Sequence, residues 1–590
     1  MSTYANIDAF ITKHLVLDLT ADFDSRTLLG TAELMFERRD PGATEVVLDT
    51  RDLQVRKAEA SSGGASWVDA AFRLDPATAA FGSALRVTVP RDADRLRITY
   101  ASSPAAKGLQ WLTPPQTSGK KLPFLFSQAQ AIQARSFIPI QDTPAVRMTY
   151  DATIRVPKEL VAVMAAEAAP GEKGSGVFHF RMPQPIPSYL IAIAIGDLTF
   201  QPMSDRTGVW AEPAAIAAAA KEFEDTEQMI KTTEALYGPY RWGRYDLLVL
   251  PPSFPFGGME NPRVTFATPT VIVGDKSLVA LVAHELAHSW SGNLVTNATW
   301  QDFWLNEGFT TYLERRIVEA VYGNRLSDME RIIGLRDLAQ ARADLTVAGD
   351  RTLQPTLGDR DPDDAYSVVP YELGALFLSF LEDKFGRDTF DRFLRRWFDE
   401  HAFQSVTTAQ FLEFLSKHLL STRPGEVTEA QIQEWLHTES IPSFAVMPKS
   451  DALEKVEQAR DAWLMSGSVE ALAQASAWST QEWVHFIDAL PRKLDADRLS
   501  ALDRRFKLTD SPNSEIAHVW FRLAIANRYT AAFPAMERYM IRIGRRKLIV
   551  PLYRDLALTA DGKAMAKRIY AKAREGYHPV AQSTLDGLLN

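Results

Sequence analysis

The stretch that decides the fold is Leu281 to Glu314, LVAHELAHSWSGNLVTNATWQDFWLNEGFTTYLE, with His284-Glu285-Leu286-Ala287-His288 near its start. On a helix of about 3.6 residues per turn, His284 and His288 sit one turn apart on one face, so both imidazoles reach one ion. Two ligands alone make a loose site. A catalytic zinc takes three protein ligands, and Asn306-Glu307-Gly308 offers Glu307 as the third, with eighteen residues between it and His288. Glu285 is then left beside the metal without being needed as a ligand. A carboxylate there can take a proton from water that the ion has acidified, which is the chemistry of metal-assisted amide hydrolysis.

Chance alone places His-Glu-x-x-His in about one chain of this size and composition in a hundred, so the surrounding sequence has to carry part of the weight. Lys276 to Ser291 reads as a helix, with Leu278, Leu281, Val282 and Leu286 as its apolar stripe and Gly292-Asn293 as its stop. TWQDFWLNEGFTTYLERRIVEAV also reads as a helix and puts Glu307 and Glu314 two turns apart on one face. Glu314 is either a partner that orients a ligand or a surface charge, and the surface charge is the default expectation.

GGMEN (Gly257 to Asn261), then HELAH, then WLNEG, in this order and spacing, resemble the gluzincin aminopeptidases of peptidase family M1. SQAQA (Ser127 to Ala131), DPDDAYSVVPYELG (Asp361 to Gly374) and GRRK (Gly544 to Lys547) are similar to the leukotriene A(4) hydrolase and aminopeptidase B branch. The resemblance runs along essentially the whole chain. It implies a multidomain α+β fold: a β-rich, saddle-like domain over 1–200, a thermolysin-like, mostly helical zinc domain over 201–440, a linker over 441–451 and an all-α, solenoid-like domain over 452–590. It also implies one zinc ion per chain on His284, His288 and Glu307, with Glu285 and Tyr371 catalytic.

The same resemblance assigns substrate contacts. Glu260 and Gln130 hold the free amino end, beside Gly257, Gly258 and Met259. Asp363 and Tyr366 line the pocket for the first side chain, where a carboxylate favours arginine, and Trp304 is a further candidate there. Arg545 and Lys547 bind the terminal carboxylate, so short substrates, tripeptides above all, are expected. Gln133 receives no role. The residues themselves say less. Gly-Gly before a strand is a hairpin signal that also lets a substrate backbone come close and pair with an edge strand. A tyrosine after Pro370, in the first turn of a helix, can donate to a developing oxyanion.

Chain order agrees with this division. HLVLDLTADF, TAELMFE, EVVLDT, ALRVTVP, RLRITY, YDATIRV and GVFHFRM have strand periodicity or strand-length apolar runs. Helical periodicity begins in AAIAAAAKEFEDTEQMIKTTEALYG, and IPSFAVMPKSD is a proline-punctuated link to a helical remainder. With 590 residues the chain is too long for a single core. A net charge of -9 points to no nucleic-acid or acidic-membrane partner, and the ten-residue opening lacks the pattern of a signal peptide. No apolar run reaches membrane-spanning length. The absence of cysteine excludes disulfides and thiolate ligands. The expectation is a cytoplasmic monomer, or a periplasmic one if the chain is a processed form, acting on peptides with a free N-terminus. Two other readings stand beside it: an enzyme that also opens a leukotriene-like fatty-acid epoxide, and a non-catalytic scaffold, against which the intact ligands, Glu285 and Tyr371 argue.

Overall fold

The computed structural model describes residues 2–169 and 174–590. The alternating stretches at the start form strands because every second side chain has one face to bury against. In Phe10–Asp22, Leu15, Leu17 and Leu19 are buried while Lys13 and Asp18 face outward. This strand pairs antiparallel with Thr27–Arg38 and parallel with Arg147–Arg155 inside an eight-stranded sheet. A four-stranded sheet lies almost wholly inside the core, and its strand Phe124–Ser127 runs straight into Gln128 and Gln130. Burial of that strand fixes where the glutamines emerge.

A five-stranded mixed sheet follows, ending in Tyr245–Val249, Val264–Ala267 and Gly258–Met259. The sequence suggests an edge strand after the glycines. Instead Val264–Ala267 is interior, and Gly258–Met259 is itself the edge. The alanine-rich helical run is also two helices, Ile216–Glu222 and Thr226–Tyr237, and the second stops at Gly238 with φ +99°.

The motif helix is shorter than its periodicity suggests, spanning Ala280–Ala287. Lys276, with φ +58°, interrupts it on one side, and beyond His288 the chain turns at Gly292, with φ +100°. Its neighbour Trp304–Tyr322 is buried almost throughout and crosses Val369–Phe385 at Gly308 and Gly374. A Cβ on Gly308 would lie 2.8 Å from the Gly374 Cα, so only glycine permits this approach. That crossing brings Glu307 and Tyr371, each adjacent or close to one of the glycines, to the same place. Pro370 lies in the first turn of the second helix, where its missing N–H has no partner to lose.

From Asp451 to Leu589 the regular structure is helical, around a separate core that includes Trp463, Phe486, Trp520 and Leu552. Backbone hydrogen bonds from Gly544 N to Pro252 O and from Arg546 N to Pro255 O, both 2.8 Å, join these helices to the segment leading into Gly257. Among the described residues no helix is long and apolar enough to cross a membrane.

Candidate active site

His284 and His288 project from the end of the motif helix toward Glu307. His284 Nε2 lies 3.2 Å and His288 Nε2 3.5 Å from Glu307 Oε2. Their other ring nitrogens are already engaged: His284 Nδ1 lies 2.9 Å from Glu314, and His288 Nδ1 lies 3.1 Å from both Ser291 O and Thr310 Oγ1. With Nδ1 donating its proton, each imidazole keeps its Nε2 lone pair for a common point. Such N,N,O separations suit ligands about 2 Å from a zinc ion.

The charge balance supports the same conclusion. Glu260, Glu285 and Glu307 are buried, at 3%, 5% and 2% exposure, with the imidazoles of His284 and His288 beside Glu307. Burial pushes the Glu285 carboxyl up to about 8, against the pull of His284. Glu260 is driven well above the carboxylate range by burial and by Glu307 and Glu285. Burial also raises Glu307, but His288, His284 and a hydrogen bond from Tyr371 more than offset this. Three carboxylates gathered in one buried place favour a bound cation. The donor set fits one zinc ion per chain.

Ligand atoms of Glu260, Glu285 and His288 also fall within 4.8 Å of one another, so the two remaining carboxylates flank the metal position. Gln130 Nε2 donates to Glu260 at 3.3 Å, and Asn293 Nδ2 donates to the Glu260 carbonyl at 2.6 Å. A Cβ on Gly258 would sit 2.2 Å from Glu285 Oε1, so the edge strand passes directly over the carboxylate. The Met259 side chain points away from the cluster and accepts from Gln128 Nε2 at 3.1 Å, buried to 2%. Tyr371 stacks on His284 at 5.9 Å, and its hydroxyl lies 2.7 Å from that of Tyr366.

Beside the tyrosines is a narrow cleft, lined among others by Gln130, Phe256, Phe303, Asp363, Tyr366 and Arg546. Asp363 accepts from Gln133 Nε2 at 2.9 Å and Ala131 N at 3.3 Å. Burial and Asp361 push it up to about 6. Arg545 is buried, donates to Glu515 at 2.9 Å and Thr270 at 3.1 Å, and comes within 3.0 Å of a Gly257 Cβ position. Lys547 is exposed, 3.9 Å from Glu515. A larger cavity of about 280 Å³, lined among others by Arg315, Glu372 and Arg387, includes none of the metal cluster.

Three expectations change. Trp304 does not line the cleft: it is fully buried against Phe309, Phe377 and Phe411 because helix packing on both sides encloses it. Glu314 is no surface charge. It holds His284 and is itself held by Arg315, which also pairs with Glu372 at 3.1 Å. Gln133, without a role in the sequence reading, donates to Asp363 and with the Ala131 amide orients it. The spacing of Glu314 from Glu307 already carried its signal; nothing in the sequence distinguishes Thr310, Ser291 or Asn293.

Paired histidines on a helix, a glutamate from the next helix and a free carboxylate beside them define a zinc peptidase of the His-Glu-x-x-His type. Models of the Peptidase M1 N-terminal domain, the Peptidase family M1 domain and the Leukotriene A4 hydrolase C-terminal region match residues 11–190, 221–438 and 478–589. The chain is 37% identical to leukotriene A-4 hydrolase of Xenopus laevis, over 98% of this chain and 97% of that one. It is 37% identical to aminopeptidase B of Mus musculus, over 98% and 94%. A solved yeast LTA4 hydrolase in complex with bestatin superposes with a TM-score of 0.92 at 32% identity, over 100% of this chain and 97% of that one. The chain belongs to peptidase family M1, and it is a zinc metallo-aminopeptidase.

Proposed function

We propose that the enzyme removes the first residue of short peptides, tripeptides in particular, with arginine and alanine as the candidate first residues. The observation that carries this is the placement of Glu260 and Glu285 oxygens within 4.8 Å of each other and of His288. A carboxylate so close to the reacting carbonyl, with Gln130 as its one side-chain partner among the described residues, has acceptor capacity left for a substrate α-ammonium. Holding the amine there lets only the first peptide bond reach the metal.

Bound zinc supplies Lewis-acid chemistry, polarising a carbonyl and acidifying water. Glu285 accepts the proton from the attacking water and passes it to the departing amine nitrogen. Tyr371 donates its O–H to the oxygen that gains charge on the scissile carbonyl. The unpaired side of Gly258–Met259 receives the substrate backbone in extended form. Arg545 and Lys547 attract a terminal carboxylate, and Asp363 and Tyr366 face the first side chain. The same reading makes the enzyme a monomeric cytoplasmic protein without a nucleic-acid partner. Glu260→Ala tests the amine anchor: it should raise KM for free-amine tripeptides roughly 10- to 100-fold, the magnitude of a lost charged hydrogen bond. An unchanged KM contradicts it.

A second reading is favoured by the apolar walls of the cleft, where Phe303, Leu353 and Leu357 lead to Asp363 and Tyr366. These suit a fatty-acid epoxide, opened by water in the same cleft. Product analysis after incubation with such an epoxide tests it, and recovery of only the spontaneous hydrolysis products rejects it.

A further inference from the structure

The cleft that takes the first side chain is lined by three charged residues, of which Asp350 is already paired with Arg360 at 2.7 Å, leaving two opposite charges. Asp363 is one, and its orientation is fixed by Gln133 and the Ala131 amide. Arg546 is the other, a lining residue of the same cleft. Its backbone amide is bound to Pro255 O at 2.8 Å, which anchors the main chain, and its Nη2 donates to Thr584 Oγ1 at 3.0 Å, which holds the guanidinium. Its buried Nε has no hydrogen-bond partner among the described residues.

Among the described residues, Asp363 and Arg546 do not form an ion pair, yet each feels the other. Asp363 supports the charge of Arg546 against burial, and Arg546 draws the Asp363 carboxyl down against burial. The nearby acid Asp361 faces Arg51 at 3.7 Å instead. The walls contributed by Phe256 and Phe303 are apolar. A carboxylate alone in such a pocket would draw in an arginine or lysine side chain. With a fixed guanidinium in the same low-dielectric space, the attraction is offset by repulsion, while the entering cation still loses its hydration.

We infer that Arg546 is a specificity-determining residue: it cancels the charge of Asp363, so the pocket selects an uncharged first side chain over arginine or lysine. This rests on the aminopeptidase reading above and decides between its two candidate first residues in favour of alanine.

The test compares Arg-Ala-Ala with citrulline-Ala-Ala, whose first side chain has nearly the same shape without the charge. The ratio of their kcat/KM values is measured on the zinc-loaded wild type, R546M and R546Q. Taking the ratio within each preparation removes differences in folding or zinc content. The wild-type ratio is expected at or below one, rising by roughly tenfold or more in both variants. A wild type that clearly favours arginine over citrulline, or a ratio that neither variant changes, overturns the inference. No turnover of any free-amine peptide is a different result, removing the aminopeptidase reading and this inference with it.

Discussion

Nδ1 of His284 and Oε2 of Glu314 lie 2.9 Å apart in a partly buried hydrogen bond, and Arg315 ties Glu314 in turn to Glu372. The bond fixes which imidazole nitrogen carries the proton and keeps Nε2 aimed at Glu307. Glu314→Gln should therefore weaken zinc binding by roughly 10- to 100-fold. Competition with a chromogenic chelator measures this directly, and an affinity equal to wild type would show the bond to be incidental.

Gly258 is the tightest point over the catalytic carboxylate. Gly258→Ala puts a methyl group 2.2 Å from Glu285 Oε1 and 2.4 Å from its Cδ, so the carboxylate must move. The predicted result is a fall in kcat on the order of 100-fold with full zinc content, since His284, His288 and Glu307 are not touched. Loss of zinc together with activity would instead indicate general disruption.

Tyr371→Phe removes one hydroxyl and leaves the ring stacked on His284. Loss of an oxyanion donor costs roughly 100- to 1000-fold in kcat, with KM little altered. Steady-state kinetics on a free-amine tripeptide decides it; an effect confined to KM would assign Tyr371 to binding.

Asp363 gives a pH signature. Its folded-state value is raised from 3.8 to about 6, so the native state holds a proton that the unfolded chain releases between those values. The associated stability is fully present below about pH 4 and is lost as pH rises through about 6, amounting to about 2 to 3 kcal/mol. Relative to wild type, Asp363→Asn should gain stability as pH rises across that window. Denaturant unfolding of both proteins at pH 4.5 and 7 tests this, and a pH-independent difference contradicts it.

Much of this site was legible because its chemistry is local in sequence. His284, Glu285 and His288 share one helix, Glu307 begins the next, and Gly257 to Glu260 form one short segment. The strand readings of the first 200 residues held for the same reason, each strand carrying its own burial pattern. What periodicity does not encode is where an element stops or which side of it meets another. Lys276 in a left-handed conformation shortened the motif helix, and sheet order made Gly258–Met259 the edge. Trp304 and Gln133 escape a local reading because packing between distant segments sets their surroundings. Arg546 joins Asp363 across more than 180 residues, which no local pattern can indicate.

The central claim is that Glu285 beside the zinc cluster drives hydrolysis of a peptide bond next to a free amine. The direct measurement is initial rates on matched free-amine and N-acetylated tripeptides with wild type, metal-stripped protein, zinc-restored protein and Glu285→Gln. The account predicts turnover of free-amine substrates only, lost on stripping, restored by zinc and reduced by roughly 1000-fold or more in the variant. Equal cleavage of acetylated peptides, or a fully zinc-loaded Glu285→Gln enzyme with wild-type rates, would contradict it.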